Sequence, residues 1–145
     1  MKENSISVIL NQTHDLPTKI DDDIDQPFKT PYLLQKAGVL YCIGQEGVMN
    51  VRNLPFNAGT AAAYGLDKEQ ALMAITSNTA KILGIDKTVG TLETGKDATL
   101  FISTGDALDM RTNNIEAVFI NGKTIDLNNQ QKILYQRYKE KYQAK

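Results

Sequence analysis

Three polar side chains could take part in chemistry because each follows an apolar run of the sequence. His14 comes a few residues after the β-branched run 6–10, and Gln45 and Glu46 come directly after the run 39–43. The carboxylate of Glu46 can move a proton, and the amide of Gln45 can hydrogen-bond a substrate. His14 could bind a substrate or a metal ion. The structural alternatives are a hydrogen-bonded histidine, and a glutamine and glutamate at the surface of a glycine-rich turn.

The sequence supplies too few ligands for a catalytic zinc site of its own. It holds one histidine, His14, and one cysteine, Cys42, so it has neither a His-x-His pair nor a Cys/His cluster. A catalytic zinc site normally has three protein ligands. We therefore expect this chain alone to hold no metal cofactor.

The two apolar runs are interpreted as buried strands of one parallel pair. Runs 6–10 and 39–43 are β-branched or apolar, and a helix is predicted between them. This helix is expected to begin at Thr30-Pro31, where the missing N–H of proline costs nothing, and to end at Gly38. Strand, helix and strand in this order predict a right-handed βαβ unit. His14 then lies just past the carboxyl end of a strand, where α/β barrels build their active sites.

Helices and glycine turns are predicted for the middle of the chain. Asn53 and Asp67 can cap two successive helices, and Gly84 can end a third. Two glycine-containing turns within 89–98 then lead into the apolar run 100–102. The pattern changes here from helix to turn to strand, which indicates a join between two architectural units.

Short strands and a final helix are predicted after that join. The strands cover 98–103, 115–120 and 123–126. Asn121-Gly122 is a strong signal for a two-residue type I′ hairpin. The tail 128–145 is helical in composition, with tyrosines on one stripe and a basic face. We expect this helix to lie on its own domain, and binding to a partner is the alternative.

The join itself resembles the C-terminal signature of the amidohydrolase superfamily, in particular its imidazolonepropionase-like branch. The matching residues are Thr76-x-Asn78-x-Ala80-Lys81-Ile82-Leu83-Gly84 and Val89-Gly90-Thr91-Leu92-Glu93-x-Gly95-Lys96-Asp97-Ala98. The likeness runs roughly from Val8 to Asp126. In that family this stretch leads from a metal-dependent (β/α)8 barrel into a small β-sandwich.

The resemblance implies an α/β fold that contains the last strands and helices of a (β/α)8 barrel. Residues 1–97 would form the C-terminal part of the barrel, 98–127 the strands of a composite sandwich, and 128–145 a C-terminal helix. The runs 6–10 and 39–43 would be the seventh and eighth barrel strands. A complete barrel needs about 250 residues, so a chain of 145 residues is expected to be a fragment or one subunit of a split enzyme.

The resemblance also implies roles for the candidate residues. In the family, an aspartate just past the last barrel strand binds metal and handles the proton of the attacking water, and Glu46 stands at the matching place. Glu46 is therefore the catalytic candidate, and a metal ligand only together with ligands that this chain lacks. Its side chain is one methylene longer than aspartate, which puts the family's metal geometry in doubt. His14 and Gln45 are the candidates for substrate binding.

For the parent protein, the resemblance implies hydrolysis of a C–N bond in a cyclic amide or related small molecule, with a zinc-like divalent metal. We expect the isolated chain to be inactive, because most metal ligands would lie elsewhere. The alternatives are a non-catalytic binding or scaffold protein on a degenerate barrel, and one subunit of a split barrel. The expected partner is the missing N-terminal part of the barrel or another copy of this chain.

The composition argues against nucleic acid and membranes as partners. Lys plus Arg number 16 and Asp plus Glu number 17, which gives a net charge of −1. No apolar run approaches the ~20 residues of a membrane span, and the N-terminus lacks the apolar stretch of a signal peptide. We expect neither a signal nor a transmembrane segment in this chain, and the localisation of a parent protein stays open.

Overall fold

The computed structural model describes residues 6–11, 13–17 and 19–143, and it is a mixed α/β structure. The strands are β1 (Val8–Leu10), β2 (Tyr41–Ile43), β3 (Leu100–Ser103), β4 (Ile115–Ile120) and β5 (Lys123–Thr124). The helices are α1 (Gln26–Lys36), α2 (Leu54–Ala63), α3 (Lys68–Ile75), α4 (Ser77–Leu83) and α5 (Gln130–Gln143). Within the described residues, no helix combines the length and apolar character needed to cross a membrane.

The strands β1 and β2 form the predicted parallel pair. Ile9 of β1 lies opposite Cys42 of β2. The backbone N–H of Gly44, just after β2, donates to the carbonyl oxygen of Leu10 at 2.8 Å, which continues the pairing to the end of β1. The residues that follow the two strands therefore start from the same edge of the sheet.

The helix α1 begins earlier than the sequence indicated, at Gln26 rather than at Thr30. Pro27, not Pro31, takes the first-turn position where a missing N–H is harmless. Pro31 lies inside the helix and its side chain is fully buried. Burial of the proline ring offsets the backbone hydrogen bond that it removes.

The ends of three later helices follow local sequence signals to different degrees. The side chain of Asp67 caps α3 by accepting from the backbone N–H groups of Glu69 at 3.0 Å and Gln70 at 3.2 Å. Such a cap typically stabilises a protein by about 1 kcal/mol. Gly84 ends α4 in the left-handed conformation, with φ of 71°. Asn53 precedes α2 as predicted, but its side chain makes no capping hydrogen bond.

One core forms where the helices cover β2. Tyr41 and Ile43 of β2 are buried against small and branched side chains of the helices and one loop. These partners are Ala58, Ala61, Leu66, Ala71, Ala74 and Leu108. Val8 and Leu10 of β1 pack on the same core. Because side chains alternate along a strand, Ile9 lies on the other face of β1, and it is 53% exposed.

Tyr41 is a buried polar group whose hydroxyl has no hydrogen-bond partner within the described residues. Burial raises the pKa of Tyr41 to about 12, because the phenolate would lose its hydration. The folded pKa lies above the ordinary value of 10.0, so this group stabilises the fold fully below pH 10. That contribution is lost as the pH rises toward about 12.

We therefore expect the unfolding free energy of the native chain to fall between pH 10 and about 12. Over the same pH range, the unfolding free energy of the Tyr41→Phe variant should fall by less. At neutral pH the unfolding free energy of the variant should equal that of the native chain or exceed it by up to about 1 kcal/mol, since the buried hydroxyl without a hydrogen-bond partner is removed. Urea unfolding at each pH measures both effects. Tyr64→Phe is the control, because the Tyr64 hydroxyl contacts Asp25 near the surface. Equal alkaline losses in native and Tyr41→Phe chains would contradict this account.

The strands β3, β4 and β5 form a separate antiparallel sheet in that order. Asn121 and Gly122 connect β4 to β5 with φ values of 50° and 75°, so the predicted hairpin with two positive-φ residues is confirmed. The helix α5 contains no buried residue. Its tyrosines Tyr135, Tyr138 and Tyr142 are exposed, so the expectation that this stripe lies on its own domain is wrong.

The connection 104–114 between β3 and β4 leaves the small sheet and packs on α2. Leu108 of this connection is 8% exposed and belongs to the main core. Gly59 of α2 makes this approach possible, because a Cβ atom there would overlap the carbonyl oxygen of Leu108. Lys68 pairs with Asp106 of the connection at 2.7 Å. The connection thus joins the small sheet to the helices.

Candidate functional site

A polar cleft of about 510 Å³ opens at the carboxyl ends of β1 and β2. All three residues singled out in the sequence, His14, Gln45 and Glu46, line this cleft. The other lining residues are Asn11, Thr13, Asp15, Asn50, Asn53, Phe56, Asn57 and Met110. The parallel pairing of β1 and β2 brings His14, Gln45 and Glu46 together, because the chain leaves both strands at the same edge of the sheet.

Glu46 is linked to the other strand by Asn11. The Nδ2 of Asn11, the first residue after β1, donates to Oε1 of Glu46 at 3.2 Å. A Cβ atom on Gly44 would lie 2.5 Å from Oδ1 of Asn11, so the glycine leaves the space that the Asn11 side chain occupies. Asn11 therefore restricts the Glu46 carboxylate to the mouth of the cleft.

His14 is held by hydrogen bonding and by ring packing. Its Nε2 lies 2.9 Å from Oγ1 of Thr60, and its ring meets Phe28 edge to face with centroids 5.5 Å apart. The hydroxyl of Thr60 donates its one proton to the carbonyl oxygen of Phe56 at 3.0 Å. It must then accept from His14, so the histidine carries a proton on Nε2. In the neutral ring, Nδ1 remains as the acceptor.

Gln45 and Asn57 form an amide pair on one wall of the cleft. The Nδ2 of Asn57, in α2, donates to Oε1 of Gln45. The Nε2 of Gln45 has only a long contact of 3.5 Å, to the carbonyl oxygen of Glu46. Asn57 is 3% exposed. The Nε2 of Gln45 is therefore the donor of this pair that remains nearly unsatisfied.

Thr13 lines the same cleft and is 4% exposed. Its hydroxyl is buried and has no hydrogen-bond partner in the described part of the chain. Such a group loses its hydration without compensation, which makes an unpaired buried hydroxyl unusual. Sequence reasoning missed Thr13, Asn11 and Asn57; only the position of Asn11 directly after a strand could have pointed to it.

The charged side chains that line the cleft are carboxylates. Asp15 and Glu46 contribute carboxylates, and none of the described lining residues is lysine or arginine. The cations Lys68 and Arg111 lie in a second cleft of about 370 Å³, whose wall of Phe56 and Met110 is shared with the first. The two cations are paired with the carboxylates of Asp106 and Asp109, each at 2.7 Å.

The cleft does not form a metal site from its own side chains. His14, Asp15 and Glu46 all line it, but within the described residues no group of three His, Cys, Asp or Glu side chains lies close enough to hold an ion. The donor set of the described residues alone therefore does not fit the divalent metal that the resemblance implies.

Comparison with known proteins identifies relatives that are much longer than this chain. The sequence model of the amidohydrolase family matches residues 29–125. A 5-methylthioadenosine/S-adenosylhomocysteine deaminase from Moorella thermoacetica is 38% identical over 86 residues, which cover 52% of this chain and 19% of that protein.

Solved structures give the same picture for the fold. An amidohydrolase from Thermotoga maritima MSB8 superposes with a TM-score of 0.74 and 31% identity, over 86% of this chain and 32% of that one. A second amidohydrolase superposes with a TM-score of 0.63 and 17% identity, over 88% of this chain and 36% of that one. The chain thus spans about a third or less of the length of these two structures and of the deaminase.

Proposed function

Because the chain belongs to the amidohydrolase family, we propose that it is the C-terminal part of a hydrolase acting on a C–N bond of a cyclic amide or related small molecule. One observation carries the proposal: His14, Gln45 and Glu46, chosen from the sequence, converge on one cleft at the carboxyl ends of two parallel strands. The deaminase relative supports the class of bond, since deamination breaks a C–N bond.

In this proposal β1, β2 and the helices α1 to α4 are the closing part of a (β/α)8 barrel. The sheet of β3, β4 and β5 supplies part of a sandwich beside it. The likeness in fold to the two solved amidohydrolases supports this arrangement. The missing N-terminal part of the barrel, or a second copy of this chain, would then cover the exposed Ile9 face of β1.

Each candidate residue has a distinct task in the proposed reaction. Glu46 takes up a proton from the attacking water and returns it to the nitrogen of the C–N bond being cleaved, and Asn11 keeps its carboxylate in place. Gln45, positioned by Asn57, orients the substrate amide. His14 offers Nδ1 as a hydrogen-bond acceptor while Thr60 fixes the ring.

A divalent metal, if the complete protein uses one, must be held mainly by residues outside this chain. Glu46 is the side chain here that stands where the family has a metal-binding aspartate. The longer side chain of Glu46 in place of that aspartate favours a second candidate function: a non-catalytic protein that binds the same kind of ligand on a degenerate barrel. The hydrolase could also be a split barrel, in which this chain is one subunit and the missing part is a separate chain.

The test compares the 145-residue chain with the complete protein or complex that contains it, purified under native conditions. We expect no hydrolysis of a panel of cyclic amides by the chain alone, and hydrolysis by the complete protein that a chelator abolishes. Product formation followed by chromatography measures both. Ligand binding without hydrolysis by the complete protein would support the binding protein instead. Metal-dependent turnover by the isolated chain would overturn the proposal.

A further inference from the structure

We propose that helix α5 of one chain packs against the segment 19–25 of a second copy, so that two chains form a two-fold dimer through two equal contacts. Segment 19–25 is called the acidic segment below. Neither surface contributes a described residue to the lining of the polar cleft, so the proposal does not depend on the proposed function. Opposite charges and exposed apolar side chains on the two surfaces carry it.

The helix α5 presents an apolar stripe that nothing covers within the chain. Tyr135, Tyr138 and Tyr142 fall on one face of the helix, since a turn takes about 3.6 residues. They are between 51% and 70% exposed, and the rings of Tyr138 and Tyr142 stack with centroids 6.5 Å apart. None of the residues described in α5 is buried. Because a helix of this length is marginal in water without packing of such a face, α5 would gain stability from a partner surface.

Cations border this stripe. The Nζ atoms of Lys139 and Lys141 lie 6.0 and 5.6 Å from the centroids of tyrosine rings of the stripe. The helix adds two further cations and a single carboxylate: Lys132, Arg137 and Glu140. In the described part of the chain, no ion pair includes any of the four cations. The stripe therefore suits a partner surface that combines apolar side chains with carboxylates.

The acidic segment has this complementary composition. Its two isoleucines, Ile20 and Ile24, are 103% and 67% exposed. Lys29 pairs with Asp23 at 2.5 Å and with Asp25 at 3.8 Å, whereas Asp21 belongs to none of the ion pairs between described residues. In all, the segment holds four carboxylates against one lysine: Asp21, Asp22, Asp23, Asp25 and Lys19.

The two surfaces can meet only between chains. A contact within one chain would cover residues of α5 and of the acidic segment, but no described residue of α5 is buried and Ile20 is fully exposed. Each copy carries one surface of each kind, so a two-fold arrangement makes the same contact twice. Tyrosines packed on isoleucines supply the apolar part of the contact, and the opposite charges around them orient it.

The first test measures the mass of the 145-residue chain by light scattering over a dilution series. We expect a dimer that dissociates on dilution, with a dissociation constant at least roughly tenfold higher in ~0.5 M salt than in ~0.05 M salt, because salt screens exposed charges. A chain that is monomeric at every concentration overturns the proposal. A dimer with the same dissociation constant at both salt concentrations also overturns it, and would indicate association through an apolar surface such as the Ile9 face of β1.

Charge reversal tests whether these two surfaces contact each other. Lys141→Glu and Asp21→Lys each place like charges across both contacts of the dimer, and each variant alone should raise the dissociation constant roughly tenfold or more. An equimolar mixture of the two variants should dimerise like the native chain, because both contacts then pair opposite charges. Lys123→Glu, an exposed lysine on β5, is the control and should keep the native constant. A mixture that dimerises no better than the separate variants overturns the pairing of α5 with the acidic segment.

Ile20→Ser tests the apolar part of the contact. Because Ile20 is fully exposed in the single chain, the variant should keep the native circular dichroism spectrum and unfolding midpoint. Its dimer dissociation constant should rise roughly tenfold, since two isoleucines per dimer lose their buried surface. Leu92→Ser is the matched control: Leu92 is 82% exposed and lies outside both surfaces, so its loss should leave the constant unchanged. Equal constants for the two variants overturn the proposal.

Discussion

Glu46→Gln in the complete protein is expected to lower kcat/KM for a cyclic amide by roughly 10²–10⁴-fold, the range for loss of a positioned proton-transfer group. Glutamine has nearly the shape of glutamate, and its Oε1 can still accept the hydrogen bond from Asn11. It cannot take up a proton, so the change removes chemistry while it preserves the contacts of the side chain. Steady-state kinetics, with kcat and KM determined separately, measures the effect.

Two companion variants define what the Glu46 result means. Glu116→Gln changes an exposed carboxylate on β4, away from the cleft, and should retain the native rate. Glu46→Asp should retain more activity than Glu46→Gln, because it keeps a carboxylate. A Glu46→Gln enzyme with the native kcat/KM would show that Glu46 is only a surface residue of the turn.

Gly59→Ala is expected to lower the free energy of unfolding by about 1–3 kcal/mol, the usual cost of forcing an extra carbon into a packed interface. The new methyl group would overlap the carbonyl oxygen of Leu108, which belongs to the backbone and cannot rotate away alone. The connection 104–114 would have to move off α2 and withdraw Leu108 from the core. About 1 kcal/mol of this loss is regained, since alanine favours a helix more than glycine does, so the net loss should be up to about 2 kcal/mol. Urea unfolding measures the net change.

The control for Gly59 is a glycine where space is free but the backbone is left-handed. Gly84 has φ of 71°, and a Cβ there meets no atom within 4 Å. Gly84→Ala should therefore cost about 1–2 kcal/mol through backbone strain alone. In the Gly59→Ala chain, removal of the Leu108 side chain should cost less than it does in the native chain, because Leu108 has already been displaced. Strictly additive effects of the two changes would contradict this explanation.

The parts of the fold that depend on neighbours in sequence could be predicted from the sequence. The cap at Asp67, the hairpin at Asn121-Gly122 and the end of α4 at Gly84 each follow from one or two residues. The start of α1 could not be predicted, because a proline is typical of the first turn of a helix. The sequence alone does not show that Pro31 lies inside α1. Its ring is accepted inside α1 because it fills part of the core.

The candidate site could be predicted only in part, for a similar reason. His14, Gln45 and Glu46 follow apolar runs, and the rule that sites lie at the carboxyl ends of parallel strands is enough to group them. Asn57 lies in an alanine-rich helix, where nothing in the sequence tells that its amide reaches Gln45. The unpartnered state of Thr13 is likewise a property of packing, which no local pattern contains.

The connection 104–114 carries Leu108 into the core and Met110 into the wall of the cleft, although its strands belong to the small sheet. A chimaera in which residues 98–127 came from a relative would therefore inherit more than a peripheral sheet. It would receive a foreign side chain in the hydrophobic interior and another in the wall of the cleft. Exchange of this segment during evolution is thus a route by which the shape of the cleft can change without any substitution at His14 or Glu46.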